Sequence, residues 1–230
     1  MADDMKKGKG STFADLPPLV CKPQEVEPAR IEKIASEFVE GFELLKRYGL
    51  AATFFGTARC TLDSNIYKHT EELAGRLAKR GFAVITGGSA GVMQAANKGA
   101  YEAGGASVGI KIRLPDEQVA NKYLTDSVLF NHFFTRKVML TFASEVYIYM
   151  PGGFGTLDEF FEIVTLVQTK KIQHVPIVLF DRTYWTPLLS FIEDKLAHGL
   201  RTIDQVDTTL YVLVDTVDEA YDYIVANVKC

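Results

Sequence analysis

Short apolar segments alternate with amphipathic segments along most of the chain, and this alternation limits the possible folds more than any other feature. The strand-length segments are 51–55, 82–86, 106–112, 127–130, 145–150, 175–180 and 209–214. The helix-length segments between and around them are 29–47, 65–79, 92–103, 132–143, 157–169, 185–197 and 217–225. Strands that are apolar throughout, each followed by a helix, predict a mostly parallel sheet with helices on both faces.

The whole alternating region is expected to form a single α/β domain. We place this domain at 29–230, after a flexible N-terminal tail at 1–28 that is rich in lysine, glycine, proline and acidic residues. In parallel sheets of this kind, ligands bind beyond the carboxyl ends of the strands. The loops that follow the strands are therefore the segments in which to search for function.

Composition excludes several functional classes. The formal net charge is −4 and no basic stripe is visible, which disfavours a nucleic-acid partner. The apolar runs are only strand-length, so no membrane partner is expected. The three cysteines are scattered and the N-terminus has no apolar signal segment, which predicts a cytoplasmic protein. The four histidines lie far apart, so no metal site is expected.

Two glycine-rich loops follow predicted strands. They are TGGSAGVM at 86–93 and MPGGFGTLDE at 150–159. Glycines let the backbone approach an anion closely, and the N–H groups at the start of the next helix then face it. Each loop alone is equally typical of a tight turn, but two of them in one small domain favour a phosphate site.

The surrounding residues argue against two common phosphate ligands. A dinucleotide site requires an acidic residue at the end of the next strand, where this chain has Lys111 and Arg113. The Gly-Lys-Ser/Thr of a nucleotide triphosphate loop follows neither glycine loop. No cofactor is therefore expected.

An acidic cluster follows the second loop. Asp158, Glu159 and Glu162 fall in the first turns of the next predicted helix. A carboxylate beside a sugar stabilises the positive charge that develops when a glycosidic bond breaks, or orients the attacking water. Thr156 followed by Glu159 also has the spacing of a helix capping box, so local sequence leaves a structural and a functional interpretation open.

A second cluster is basic. Arg136 and Lys137 lie in HFFTRKVMLTFA, where Arg136 falls on the apolar face of the predicted helix. An arginine in this position either extends to water or binds a buried anion such as phosphate. Lys137 points to a different side of the helix.

The combination of ITGGSAGVM, FFTRK and PGGFGTLDE resembles the Lonely Guy (LOG) family, cytokinin riboside 5′-monophosphate phosphoribohydrolases that were often labelled lysine decarboxylases. The resemblance covers about 51–225 and implies a Rossmann-like fold. It implies hydrolysis of purine nucleoside 5′-monophosphates, AMP or N6-prenyl-AMP, to free base and ribose 5-phosphate, with Arg136 and Glu159 as the catalytic pair. The phosphate-binding residues it implies are Gly87, Gly88, Gly152, Gly153, Gly155 and Thr156. We also include Ser89 and Lys137 among the predicted substrate-binding residues.

Several features depart from well-known members of this family. Phe133-Phe134-Thr135 replaces the usual Met-His-x before the Arg-Lys pair, and the N-terminal helix is an extension found in the longer branch of the family. The resemblance and the adjacent phenylalanines, which point about 100° apart on a helix, predict a homo-oligomer, a dimer or higher. We further expect both glycine loops at one edge of the sheet, and a hydrogen bond from Arg136 to Glu159.

Two rival functions remain to be weighed. Nucleotide-binding sensors and carriers, such as molybdenum cofactor carriers, have related folds with similar glycine loops, but a pure binder needs no catalytic pair. A lysine decarboxylase needs a lysine that binds pyridoxal phosphate, and no motif for that cofactor accompanies Lys137.

Overall fold

The computed structural model describes residues 27–114 and 121–228. In these stretches seven strands form one sheet, and every neighbouring pair is parallel. The strands are β1 Ala51–Phe55, β2 Ala83–Thr86, β3 Ser107–Ile112, β4 Asp126–Phe130, β5 Val146–Tyr149, β6 Ile177–Phe180 and β7 Val212–Val214. The α-helices are α1 Pro28–Leu45, α2 Asn65–Lys79, α3 Val92–Glu102, α4 Phe133–Thr141, α5 Phe154–Gln168, α6 Arg182–Phe191 and α7 Val217–Asn227, and a π-helix, Ile192–Gly199, continues α6.

The order of the strands across the sheet is β4-β3-β2-β1-β5-β6-β7. The chain first builds outward from β1 to β4, then returns to the other side of β1 and builds outward through β7. The gap between the loops after β1 and β5 is therefore the topological switch point, where ligands bind in sheets of this class. The predicted Rossmann-like fold is confirmed.

Alternate side chains of the strands enter two separate cores. Phe55 and Tyr149 pack in one core with Met139 of α4 and Phe160 of α5. Phe54 packs in the other, together with apolar residues of α2, α3 and α7. Both faces of the sheet are covered, which explains why the central strands β1, β2, β5 and β6 are buried at every position.

Three elements begin three residues away from their predicted starts. Helix α5 begins at Phe154 rather than at 157, because Gly153 is its N-cap residue. Helix α6 begins at Arg182 rather than at 185, because the Asp181 carboxylate accepts the Tyr184 N–H at 3.1 Å. The last strand begins at Val212 rather than at 209, because the preceding residues form a 3₁₀ turn, Gln205–Thr209.

The predicted tail at 1–28 lies outside the described residues except for Glu27 and Pro28. Pro28 is already the first residue of α1, so the helix begins one residue before the predicted domain boundary. Across the described residues, no helix combines the length and the apolar character needed to cross a membrane.

Candidate active site

A cavity of about 810 Å³ lies at the carboxyl edge of the sheet, between the loops that follow β1 and β5. Because all seven strands are parallel, both glycine loops lie at this edge, as predicted. The cavity is lined by residues 54–59, Gly87, Met93, Phe133, Arg136, Leu140, 151–156, Asp158 and Glu159.

The second glycine loop supplies backbone N–H groups to the cavity. In the described part of the chain, the N–H groups of Gly153, Phe154 and Gly155 have no backbone acceptor, and no side chain caps the helix. A Cβ atom at Gly153 or Gly155 would meet nothing within 4 Å, so glycine leaves open space here. N–H groups in this position, at the positive end of a helix, are suited to an anion.

Gly152 and Thr156 fix the shape of this loop. A Cβ atom at Gly152 would overlap the Thr156 side chain, and the Gly152 carbonyl accepts the Tyr184 hydroxyl at 2.5 Å. Thr156 is buried, and its N–H donates to the Gly153 carbonyl at 3.0 Å. Because Gly153 is the N-cap residue, Thr156 lies inside the first helical turn, and the capping-box interpretation of Thr156 and Glu159 is wrong.

The first glycine loop contributes less to the cavity than the sequence suggested. Gly87 lines it, and a Cβ atom there would overlap the Arg136 guanidinium. Gly88 and Ser89 do not line it. The Gly88 N–H donates to the Thr86 hydroxyl at 2.9 Å, and Gly88 adopts a φ of +71°, a backbone conformation that favours glycine.

A third loop borders the cavity and was not singled out from the sequence. Residues 56–59 follow β1, and Thr57 connects this loop to both glycine loops. Its N–H donates to the Pro151 carbonyl at 2.9 Å, and its carbonyl accepts the Val92 N–H at 2.9 Å. The available signal was Gly56, which ends an apolar strand just as Gly87 does.

Arg136 reaches the cavity from α4. Its Nε donates to the Ile110 carbonyl at 2.8 Å, which fixes the guanidinium plane against Gly87. Burial lowers the pKa of Arg136, and the charge of Glu159 acts in the opposite direction. Within 27–114 and 121–228, no carboxylate oxygen lies within 4.0 Å of the guanidinium. The predicted hydrogen bond between Arg136 and Glu159 is therefore not present.

Glu159 extends from α5 to the same cavity and is only 8% exposed. Its Oε2 atom is buried and has no hydrogen-bond partner among the described residues. Burial raises the pKa of Glu159 to about 7, although Lys137 and Arg136 lower it in part. A buried carboxyl group with an unpaired oxygen is costly for a fold, and such groups concentrate at functional sites.

Lys137 does not line the cavity, contrary to its place among the predicted substrate-binding residues. Its Nζ atom lies 2.6 Å from Asp158 Oδ2 and 2.8 Å from Glu162 Oε2. These two carboxylates hold the ammonium group against α5. Lys137 therefore influences the cavity through its charge, which favours the ionised form of Glu159.

Comparison with known proteins identifies the family. Residues 93–224, more than half of the chain, match the family model described as "Possible lysine decarboxylase". A cytokinin riboside 5′-monophosphate phosphoribohydrolase of Rhodococcoides fascians is 29% identical over 143 residues, which are 59% of this chain and 71% of that protein. A probable enzyme of the same name from Oryza sativa subsp. japonica is 33% identical over 131 residues, 55% of this chain and 52% of that protein.

Solved structures agree with the fold. A protein whose X-ray structure was determined by a structural genomics consortium is 28% identical, with a TM-score of 0.59 over 77% of this chain and 99% of that one. The molybdenum cofactor carrier protein of Chlamydomonas reinhardtii is 23% identical, with a TM-score of 0.59 over 77% of this chain and 96% of that one, which shows a shared fold. With the family model, the related sequences and the sheet topology in agreement, the chain belongs to the LOG family, whose model carries the older lysine decarboxylase description.

Proposed function

We propose that this protein hydrolyses the N-glycosidic bond of purine nucleoside 5′-monophosphates, releasing the free base and ribose 5-phosphate. The observation that carries the proposal is the Glu159 carboxyl group, which lines the cavity and has one oxygen without a partner in the described part of the chain. Two related proteins, 29% and 33% identical to this chain over the aligned residues, are named as a phosphoribohydrolase and a probable one.

The phosphate group binds at the start of α5. The N–H groups of Gly153, Phe154 and Gly155 are free to donate to phosphate oxygens, and the helix dipole favours the negative charge. The Nη atoms of Arg136, whose Nε is already occupied by Ile110, complete the site by binding the phosphate or a ribose hydroxyl.

Glu159 acts on the ribose. The bond between C1′ and the base nitrogen breaks, the electron pair leaves with the base, and positive charge develops on the sugar ring. An ionised Glu159 beside C1′ stabilises this charge and orients the water whose oxygen forms the new bond to C1′. The water loses one proton, and the base takes up one proton.

The apolar side of the cavity accommodates the base. Met93, Phe133, Leu140 and Phe154 line it, and Phe154 is 93% exposed. Apolar and aromatic side chains pack against a purine ring and against an apolar substituent on it. We therefore propose adenine nucleotides with an N6 substituent of the cytokinin type as the preferred substrates.

A decarboxylase activity would require a cavity lysine that forms a Schiff base with pyridoxal phosphate. Among the described residues that line the cavity there is no lysine. The lysine nearest in sequence to Arg136, Lys137, is held in two ion pairs with α5. These contacts favour the phosphoribohydrolase over the activity in the family description.

The test is to incubate the purified protein with AMP, N6-isopentenyl-AMP, GMP and CMP and to measure the released base by chromatography. We expect release from the adenine nucleotides and much less from CMP. Glu159→Gln should abolish most of it, and Glu162→Gln serves as the matched control on the same helix. Binding of AMP and N6-isopentenyl-AMP without release of a base from either would refute the hydrolase and support a nucleotide carrier.

A further inference from the structure

A buried carboxylate on α1, outside the cavity, contacts the helix that carries Arg136. Glu37 is 4% exposed and accepts five hydrogen bonds. Oε1 accepts the N–H and the side-chain amide of Asn131, each at 2.9 Å. Oε2 accepts the Thr135 hydroxyl at 2.6 Å, His132 Nδ1 at 3.1 Å and the His132 N–H at 3.4 Å. We refer to Glu37, Asn131, His132 and Thr135 as the Glu37 cluster.

The donors in the Glu37 cluster belong to the first turn of α4 and the residues just before it. His132 is the N-cap residue of α4, and its own side chain does not cap the helix. Glu37, which lies on α1, caps α4 in its place. Its negative charge lies at the positive end of α4. Burial alone would raise the pKa of Glu37, but the hydrogen bonds from Thr135, Asn131 and His132 outweigh it and lower the pKa to about 2.

Arg136 follows this cluster directly in the chain. Its N–H donates to the His132 carbonyl at 3.3 Å, and its neighbour Thr135 is completely buried against Glu37. On its other side, the Arg136 side chain is fixed by the bond from Nε to Ile110. The direction of the guanidinium therefore depends on two anchors, one of which is the Glu37 cluster.

We propose that Glu37 is a positioning residue that sets the orientation of Arg136 in the cavity through the first turn of α4. The inference deepens the proposed function and rests on it for the role of Arg136. Helix α1 would then contribute to the active site. This helix lies outside residues 93–224, the part of the chain that matches the family model. A displacement of a catalytic group by about 1 Å is enough to slow an enzyme by about 10²-fold.

The experiment compares three variants at a temperature at which each is fully folded. Glu37→Ala removes all five hydrogen bonds. Glu37→Gln is the conservative variant. The glutamine oxygen can still accept from Asn131, and its amide group can donate to the Thr135 hydroxyl. The Thr135 hydroxyl then donates to the His132 carbonyl, which lies at 2.8 Å. Glu40→Ala is the matched control, since Glu40 lies one turn later on the exposed side of α1 and bonds only Ser36 among the described residues.

Two measurements are made on each variant: hydrogen exchange of the backbone N–H groups in 131–136, and kcat with AMP. We expect Glu37→Ala to speed exchange in this segment by at least about tenfold and to lower kcat by about 10- to 10²-fold. Glu37→Gln should restore kcat to within about threefold of the wild type, and Glu40→Ala should change neither quantity.

Other outcomes separate this inference from the proposed function. A Glu37→Ala variant with a lower melting temperature but an unchanged kcat would assign Glu37 to stability alone and overturn the inference. Unchanged exchange in 131–136 would overturn it as well. Failure of the wild type to release a base from either AMP or N6-isopentenyl-AMP would refute the proposed function. The effect of Glu37 on α4 would then be decided by the exchange measurement alone.

Discussion

Replacing Glu159 with glutamine keeps the shape of the side chain and removes its charge, so it separates catalysis from stability. Burial raises the pKa of Glu159 from 4.5 to about 7. Between these two pH values the folded protein still holds a proton that the unfolded chain has released. Stability therefore falls as the pH rises through this interval, and the whole penalty is present above pH 7.

The raised pKa of Glu159 sets the size of this loss of stability. A pKa raised from 4.5 to about 7 means that ionised Glu159 costs at most about 3 kcal/mol of folding free energy. Glutamine carries no charge and avoids this cost. For a domain of this size, 1 kcal/mol changes the melting temperature by about 2–4 °C. At pH 8 the Glu159→Gln variant should therefore melt at the same temperature as the wild type or up to about 10 °C higher.

The effect on catalysis should have the opposite sign. The interaction lost in Glu159→Gln belongs mainly to the transition state, in which the ribose carries positive charge. We expect kcat to fall by about 10² or more, whereas the Kd for AMP changes by less than about threefold. A side chain that costs stability and supplies activity is typical of an active site.

Three measurements test this reasoning: kcat with AMP at pH 8, the Kd for AMP, and melting temperatures at pH 5 and pH 8. The difference in melting temperature between Glu159→Gln and the wild type should be small at pH 5, where the buried carboxyl group is neutral, and larger at pH 8. The Glu162→Gln control should retain most of its turnover. Unchanged kcat in Glu159→Gln, combined with a lower melting temperature at pH 8, would refute both the catalytic role and the cost of the unpaired carboxylate.

Three further predictions use other parts of the site. Gly155→Ala should leave the melting temperature unchanged or higher, because alanine favours helices and its Cβ has open space. The same Cβ should occupy the phosphate position and raise the Kd for AMP, measured in a binding titration, at least about tenfold. In wild-type protein kcat should rise with pH through about 7 as Glu159 ionises, and Lys137→Ala should shift this rise to higher pH, because Lys137 lowers the pKa of Glu159. Light scattering at micromolar concentration should give at least the mass of a dimer, since Phe133 and Phe134 are 63% and 48% exposed in the single chain; a monomer mass would contradict this.

The order of strands and helices could be predicted from the sequence because local signals and packing agree. Helix α2 has the predicted bounds, Asn65–Lys79, since the Ser64 hydroxyl accepts the Tyr67 N–H at 3.3 Å and a regular apolar face follows. Helix α5 begins earlier than predicted, because its N-cap and first turn contain glycines, which sequence patterns assign to loops. The free N–H groups of the proposed phosphate site lie in the turn that the prediction missed.

The site could be predicted in outline for a topological reason. Parallel strands end at the same edge, so Gly87 after β2 and Gly153 after β5 approach one cavity although they are far apart in sequence. The partners of individual side chains could not be predicted in this way. The sequence around Lys137 does not indicate its ion pairs with α5, and the sequence around Glu37 does not indicate its contacts with the start of α4. Both sets of contacts depend on how the helices pack against each other.

The separation of Arg136 and Glu159 is consistent with the proposed mechanism even though a direct bond between them was expected. A close ion pair would neutralise both side chains and would have to break before either could bind the substrate. Instead, Ile110 holds Arg136 through Nε, and a buried oxygen of Glu159 has no partner within 27–114 and 121–228. The two charges are close enough for each to affect the pKa of the other, and both face the same cavity. A nucleotide bound between them would place phosphate or ribose oxygens at Arg136. The positive charge that develops at C1′ would lie beside Glu159. The substrate would therefore supply both side chains with partners of opposite charge.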